Sequence, residues 1–390
     1  MSENDIDLDL HQQIARELIC KGMLDQDFEL KPDLSTLPEE ALKTADLPTE
    51  LPDHLVPQPQ PIDPAPESSD SLPSTDVVVM TYTVAECDAL ADVFTPGYTR
   101  HTWYPYDRNF KEHYSPLIRK GAPASKSQKL GSYFVTKIGT KTVLCYKSEL
   151  HLAQDAIPTG EGTATLPLKD LVAQITKEVT PDVFLTTGTA GGVSKEQPLG
   201  GVAVTRGAVF HMLKDFKNEP FNNQKYTSDW KISDKWCSTA VKTMNGLKDH
   251  LLQPDFAPPT KRYQYTGAPI LPPAPDPVIQ FDGTDSVPSF WPVITTDIFL
   301  FGTSTNNLDK MGIVVEMDDA VIGMVLSGMD DPPYWASVRN FSDPQINGDL
   351  PTKPHNMQTH WATWYYDTYG YWTSVNSVLA NWAIIAGLNL

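Results

Sequence analysis

Apolar residues fall along the chain in short β-branched runs, with stretches of helical spacing between them. The run DVVVMTYT opening at Asp76 is followed by VAECDALADVF, whose apolar positions recur at helical intervals. A buried strand feeding a helix is how an α/β domain opens. Further strands are predicted at YFVTKIG, TKTVLCYK, DVFLTTGT, GVAVTRGAVF, PVITTDIFLF, GIVVEM and PYWASVRN. Helical spacing intervenes at about residues 164–178, 231–252 and 317–328, and SVNSVLANWAIIAGL reads as a closing helix. This alternation predicts an α/β fold with a mixed, largely parallel central sheet flanked by helices.

Proline breaks the pattern in two places. Residues 47–75 hold eight prolines among Ser and acidic residues, which predicts an extended linker. It would divide an acidic N-terminal segment, 1–46, from a domain spanning 76–390. Within that segment Leu8, Leu10, Ile14, Leu18, Ile19 and Met23 predict an amphipathic helix over about 8–23, packed on the domain or docking a protein partner. The second stretch, about 252–292, holds ten prolines inside the α/β region and reads as a loop insertion, either a lid or a surface excursion.

Composition narrows the function. The 390 residues include 49 Asp plus Glu against 30 Lys plus Arg, a net charge of −19. That excess excludes a general nucleic-acid binder, because phosphate contacts need a basic face. No apolar run approaches the roughly 18 residues of a membrane span. The opening MSENDIDLDL lacks an export pattern, which points to the cytoplasm. Cys20, Cys87, Cys145 and Cys237 are far apart and form no CxxC pair, so neither a cysteine zinc cluster nor a disulfide framework is expected. His355 and His360 match no zinc spacing, and neither metal nor cofactor is expected.

In open α/β sheets ligands bind beyond the carboxyl ends of the strands. Four such ends here carry polar residues or glycines: TYTVAE ending at Glu86, TTGTAGG at 186–192, VVEMDDA at 314–320 and VRNFSD at 338–343. The glycines of TTGTAGG permit close backbone approach, and N–H groups there suit an anion or a polarised water, with a tight turn as the plain alternative. The segment is neither a Walker A loop nor GxGxxG. Glu316, Asp318 and Asp319 open a helix, where its dipole favours carboxylates. Three acids exceed the need of one cap, and carboxylates suit bidentate bonding to vicinal sugar hydroxyls. Asp343 ends an apolar strand, with Arg339 four residues before it. An acid in a partly closed apolar site gains a raised pKa and can donate a proton, although Asp before Pro344 is also a common turn residue.

In this order the pieces resemble the nucleoside phosphorylase superfamily, above all its 5′-methylthioadenosine/S-adenosylhomocysteine nucleosidase branch, over about residues 76–388. TTGTAGGV resembles the TGSAGG turn, with Thr189 where Ser is usual, and GGVAVTRGAVFH resembles the strand that follows it. TTDIF resembles SGDxF, with Thr296 in place of Gly. VEMDDA resembles VEMExxA, with Asp318 one methylene shorter than the usual Glu, and RNFSD resembles RxxSD.

The resemblance implies a nucleosidase that hydrolyses the N-glycosidic bond of a purine nucleoside or nucleotide. It implies Asp343 as the acid that protonates the leaving base and Glu86 as the base for the attacking water. Asp318, beside Glu316 and Met317, would hold the ribose hydroxyls, and Phe299 would stack on the purine. Thr189 and Gly191 would hold the water. Arg339 would keep carboxylates ionised or form an ordinary ion pair, and His211 would face the substrate. Phosphorolysis is the alternative, although no GxGR-like loop follows Glu86. Arg100, Arg108, Lys111, Arg119 and Lys120 read as a solvated face or as contacts for a nucleotide phosphate. A purine-binding protein without turnover is the third reading. The aromatic cluster Trp361–Trp372 reads as core, lid or interface, and the resemblance implies a homo-oligomer, a dimer or higher.

Overall fold

The computed structural model describes residues 52–247, 278–350 and 357–388. The expected helix at 8–23, residues 252–277 of the second proline-rich stretch, and His355 lie outside them. Among the described residues one sheet contains thirteen strands. They are β1 (Gln58–Pro59), β2 (Val77–Thr81), β3 (Tyr104–Tyr106), β4 (Gly131–Ile138), β5 (Lys141–Ser148), β6 (Val183–Gly192), β7 (Val202–Thr205), β8 (Gly207–Phe210), β9 (Lys225–Thr227), β10 (Ile279–Phe281), β11 (Val293–Thr295), β12 (Val314–Glu316) and β13 (Tyr334–Asp343). The helices are α1 (Val84–Phe94), α2 (Pro123–Ser127), α3 (Leu152–Asp155), α4 (Pro167–Val179), α5 (Asp234–Leu247), α6 (Ala320–Leu326) and α7 (Met357–Gly387).

The centre of the sheet is parallel: β5, β2, β6 and β13 lie side by side in that order. Their carboxyl ends therefore share one edge. Strands β11 and β12 pair in parallel, and β12 meets the end of β6 antiparallel, at Val315 opposite Gly191. This is the mixed, largely parallel sheet that the alternation of elements predicts.

Strand β2 shows why its sequence is apolar from Val77 to Met80. Val77 and Val79 belong to the core beneath α1 and α7, while Val78 and Met80 belong to the core beneath α4 and α6. Successive residues of a strand point to opposite faces, so a strand covered on both faces has no polar position to spare.

Several elements differ from the sequence expectation. GVAVTRGAVF is two strands, because the chain turns at Arg206. Strand β7 pairs with β13 and β10, whereas β8 pairs with β11 and β9. The closing helix begins at Met357, well before SVNSVLANWAIIAGL, and takes in the aromatic cluster. Helix α7 carries buried polar residues where it crosses the sheet. Thr187 donates to Ser377 at 3.0 Å and Asn340 to Thr373 at 2.7 Å. Pairing of this kind lets a helix be buried around most of its circumference without orphaned hydroxyls. Residues 52–75, read from sequence as a linker, run against the domain. There β1 pairs with β4, Leu55 and Leu72 are buried, and the Leu72 amide donates to Glu178 at 2.8 Å.

Candidate functional site

A cavity opens at the carboxyl edge of the parallel strands. It is lined by Tyr82, Thr83, Glu86, Gln154, Thr189, Ala190, Gly191, Phe299, Leu300, Val315, Glu316, Met317, Asp318, Arg339, Ser342, Asp343 and Tyr366. All four strand ends singled out in the sequence reach it. Nine of the ten expected site residues line it: Glu86, Thr189, Gly191, Phe299, Glu316, Met317, Asp318, Arg339 and Asp343. His211 is not among them. It stands one residue past β8, half-buried, with its amide on the Thr295 carbonyl at 2.8 Å, and burial pushes its pKa down against the pull of Asp297.

Glu86 is placed by the start of α1. Thr83 and Glu86 form a capping box, so helix initiation fixes the carboxylate. Its Oε2 accepts from the Thr81 hydroxyl at 2.8 Å and from the Tyr82 and Thr83 amides at 3.0 and 2.9 Å. Its Oε1 accepts from the amide and hydroxyl of Thr189 at 2.8 and 2.7 Å. Burial raises the carboxyl pKa, but the Arg339 charge and these donors outweigh it and hold the group below the ordinary range. Gly188 makes the seat possible. A Cβ there would lie 2.6 Å from the Glu86 carboxyl carbon. Gly188→Ala is therefore expected to destabilise the fold by about 1–3 kcal/mol through overpacking, as read by urea unfolding.

Asp343 sits in the opposite electrostatic situation. It ends β13 at a bulge between Phe341 and Asp343, with Gly191 as its register partner on β6. The neighbouring Ser342 hydroxyl donates to it at 2.9 Å. Burial pushes its pKa up to about 7, with the Ser342 bond pulling weakly the other way. A Cβ on Gly191 would approach the Asp343 carboxylate to 3.0 Å, so glycine again leaves room for an acid. Glu86 and Asp343 thus flank the two ends of the β6 segment 188–191, roughly 10 Å long at about 3.3 Å per residue.

The acids of VVEMDDA divide three ways. Asp319 is buried, held by the Thr186 hydroxyl at 2.9 Å and by Nε and one terminal nitrogen of the Arg339 guanidinium. Glu316 accepts from the amides of Asp318 at 2.7 Å and Asp319 at 3.0 Å, from the Thr295 hydroxyl, and from Arg339 at 3.2 Å. Burial and the neighbouring acids push its pKa up. Asp318 turns towards the loop after β5, where the Leu152 amide donates to it at 2.8 Å and His151 Nδ1 lies 3.4 Å away. Arg339 also lies 5.5 Å over the Tyr82 ring. A buried guanidinium among carboxylates is a network in which each member depends on the others.

The basic stretch 100–120 does not reach the cavity. Arg100 pairs with Asp88 at 2.7 Å, Arg108 with Glu178 at 3.3 Å and Arg119 with Asp215 at 3.5 Å. Among the described residues the cavity lining holds one cation, Arg339, and four acids, Glu86, Glu316, Asp318 and Asp343. Tyr82, Gln154 and Tyr366 also line the cavity without having been singled out from sequence. Gln154 had a legible signal, because KSELHLAQD follows a strand candidate and is a fifth polar strand end.

Three solved structures stand beside this geometry. This chain is similar in fold outline to nucleosidases of known structure. The 5′-methylthioadenosine/S-adenosylhomocysteine nucleosidase of Neisseria meningitidis, in complex with methylthio-immucillin-A, shares 13% identity over 80% of this chain and 98% of its own, with a TM-score of 0.42. The futalosine hydrolase of Helicobacter pylori shares 11% over 79% and 96%, with a TM-score of 0.43. The S-adenosylhomocysteine nucleosidase of Streptococcus pyogenes, in complex with 5-methylthiotubericidin, shares 11% over 82% and 100%, with a TM-score of 0.42. No protein-family model and no curated protein matches the sequence. Likeness at these values is one of outline and assigns no chemistry to the chain.

Proposed function

We infer that the protein is a purine nucleosidase, cleaving an N-glycosidic bond by hydrolysis. The observation that carries this reading is the pair of buried carboxyl groups facing one cavity, with Glu86 held below the ordinary range and Asp343 raised to about 7. Environments that push two acids apart in this way provide a proton donor and an ionised partner at the same pH.

In this reading the bond from the anomeric carbon to the purine breaks with its electron pair leaving on the base. Asp343 delivers its proton to the base as that charge develops. The sugar passes through an oxocarbenium-like cation, stabilised by the fixed carboxylates of Glu86 and Asp318. Water adds to the anomeric carbon, and its proton passes to Glu86. A weak base suffices, because water bonded to a cationic carbon is strongly acidic. Met317 and Phe299 provide apolar surface for the sugar and the base. Solvent exchange then returns the proton to Asp343.

The balance of charge in the cavity favours water over phosphate as the nucleophile. An inorganic phosphate would stand among four acids, and Arg339 is already engaged by Asp319 and Glu316. The test is a product assay on adenosine, inosine, guanosine and methylthioadenosine, with and without phosphate. Free base and the corresponding free sugar in phosphate-free buffer support the reading, and the sugar 1-phosphate appearing only with phosphate overturns it. The pH profile provides a second check. Activity is expected to fall as pH rises through about 7, where Asp343 loses its proton, and to persist well into the acid range, since Glu86 stays ionised there.

A further inference from the structure

Three loops meet beside Asp343. One leaves the end of β6 at Gly191 and Gly192, one runs on from Phe299 and Leu300, and one continues β13 past Asp343 itself. Gln345 joins them. Its side-chain amide donates to the Val193 carbonyl at 2.9 Å and to the Thr303 carbonyl at 3.2 Å. Those are the two hydrogens that a carboxamide has to give. Turned the other way, the amide would set its oxygen against two carbonyls, so its partners fix its orientation. The main chains of the loops meet as well. The Ile346 amide donates to the Gly302 carbonyl at 2.9 Å, and the Ser304 amide to the Ile346 carbonyl at 3.0 Å. A Cβ on Gly302 would collide with the Gly192 carbonyl, and one on Gly192 would lie 3.4 Å from the Asp343 carbonyl oxygen and 3.5 Å from the Gln345 amide nitrogen.

This junction bears on the acid because the two carboxyl groups of the site are held differently. Glu86 is gripped by donors from two separate segments, at Thr81–Thr83 and at Thr189. The hydroxyl that bonds Asp343 comes from the adjacent Ser342 and moves with it. Asp343 is therefore aimed by its backbone, and two residues further on Gln345 pins that backbone to its neighbours. Phe299 has a support of its own. It packs beside Phe301, ring centroids 5.7 Å apart, against a cluster that includes Leu199, Ile346 and Leu350. A proton passes only across hydrogen-bond distance, and a displacement of about 1 Å costs a large part of the rate. We propose that Gln345 is a positioning residue for proton transfer: by tying the chain after Asp343 to the loops of Val193 and Thr303, it holds the acid within reach of a base stacked on Phe299. The proposal rests on the nucleosidase reading for the roles of Asp343 and Phe299.

Gln345→Met keeps the length of the side chain and gives up both donors, and Gln345→Asn keeps the donors on a shorter reach. Each is compared with the wild type, with Asp343→Asn and with the double variant Gln345→Met, Asp343→Asn. The substrate is whichever of adenosine, inosine, guanosine and methylthioadenosine is cleaved fastest; kcat and KM are read from base release, and urea unfolding reports folding. Gln345→Met is expected to lower kcat by roughly ten- to a hundredfold while KM moves by less than about threefold. Gln345→Asn should change kcat in the same direction. In the Asp343→Asn background Gln345→Met should cost less than about threefold, because aiming the side chain is worth little once the proton is gone. Equal costs in the two backgrounds overturn the proposal, as does a loss carried by KM alone or a failure of both Gln345 variants to fold. Base release that is lost in Asp343→Asn and untouched by Gln345→Met defeats the proposal and leaves the nucleosidase reading standing. A wild type that releases no base from any of the four overturns both.

Discussion

Asp343→Asn is expected to lower kcat for base release by about 10²–10⁴-fold, and at the same time to make the folded protein more stable above pH 7. The first effect follows, in the proposed mechanism, from removing the proton donor while keeping the shape of the side chain. The second follows from its burial. The carboxyl has an ordinary value of 3.8 and is raised to about 7 in the fold. A group raised in this way leaves stability intact below its unfolded value, and stability is lost as pH rises towards the folded one. At about 1.4 kcal/mol for each pH unit between them, the full loss is roughly 4 kcal/mol. The amide does not ionise and escapes it. Urea unfolding at pH 4 and pH 8 should show the variant gaining on the wild type chiefly at the higher pH. A variant that is inactive but no more stable at pH 8 would mean that Asp343 is not the buried acid described here.

Arg339→Met should produce the largest loss of stability, about 3–5 kcal/mol. The guanidinium is buried, grips Asp319 with two nitrogens and reaches Glu316 at 3.2 Å. Without it two buried carboxylates lose their cation while their desolvation remains. Glu86 also loses the positive charge that helps to hold it ionised. Its pKa should rise, so the acid limb of the pH–rate profile should move to higher pH even where the protein stays folded. Measuring that limb separates electrostatic loss from plain unfolding. A profile that does not move would show that Arg339 is only structural.

The strands and the acids of the site were legible because both obey local rules. VVVM is apolar at every position, as a strand covered on both faces requires, and Glu86, Asp318 and Asp343 follow such runs within a few residues. What remained hidden depends on pairing at a distance. Nothing local tells that GVAVTRGAVF divides at Arg206 or that Ile279–Phe281 forms an edge strand beside β7, because both follow from which neighbour each half meets. The helical character of Trp361–Trp372 was masked by bulky aromatics spread round the helix, which erase the usual polar face. Gln154 was overlooked for a different reason. KSELHLAQD is a further polar strand end, but a glutamine there is ordinary in sequence until it is seen buried beside Met317.

Helix α7 ties distant parts of the chain together. The Trp382 indole donates to the Leu55 carbonyl at 2.6 Å across 327 positions, and the Tyr371 hydroxyl donates to Asp92 at 2.6 Å across 279. The same helix supplies Tyr366 to the cavity that Tyr82 and Glu86 also line. Such long-range closure slows folding more than it weakens the folded state. During synthesis, at about 5–20 residues per second, α7 emerges roughly 15–60 s after β2. A nascent chain therefore carries Glu86 for roughly 15–60 s before the cavity around it is complete. Base-releasing activity should appear late in refolding, after most of the sheet has formed and only as the last helix docks.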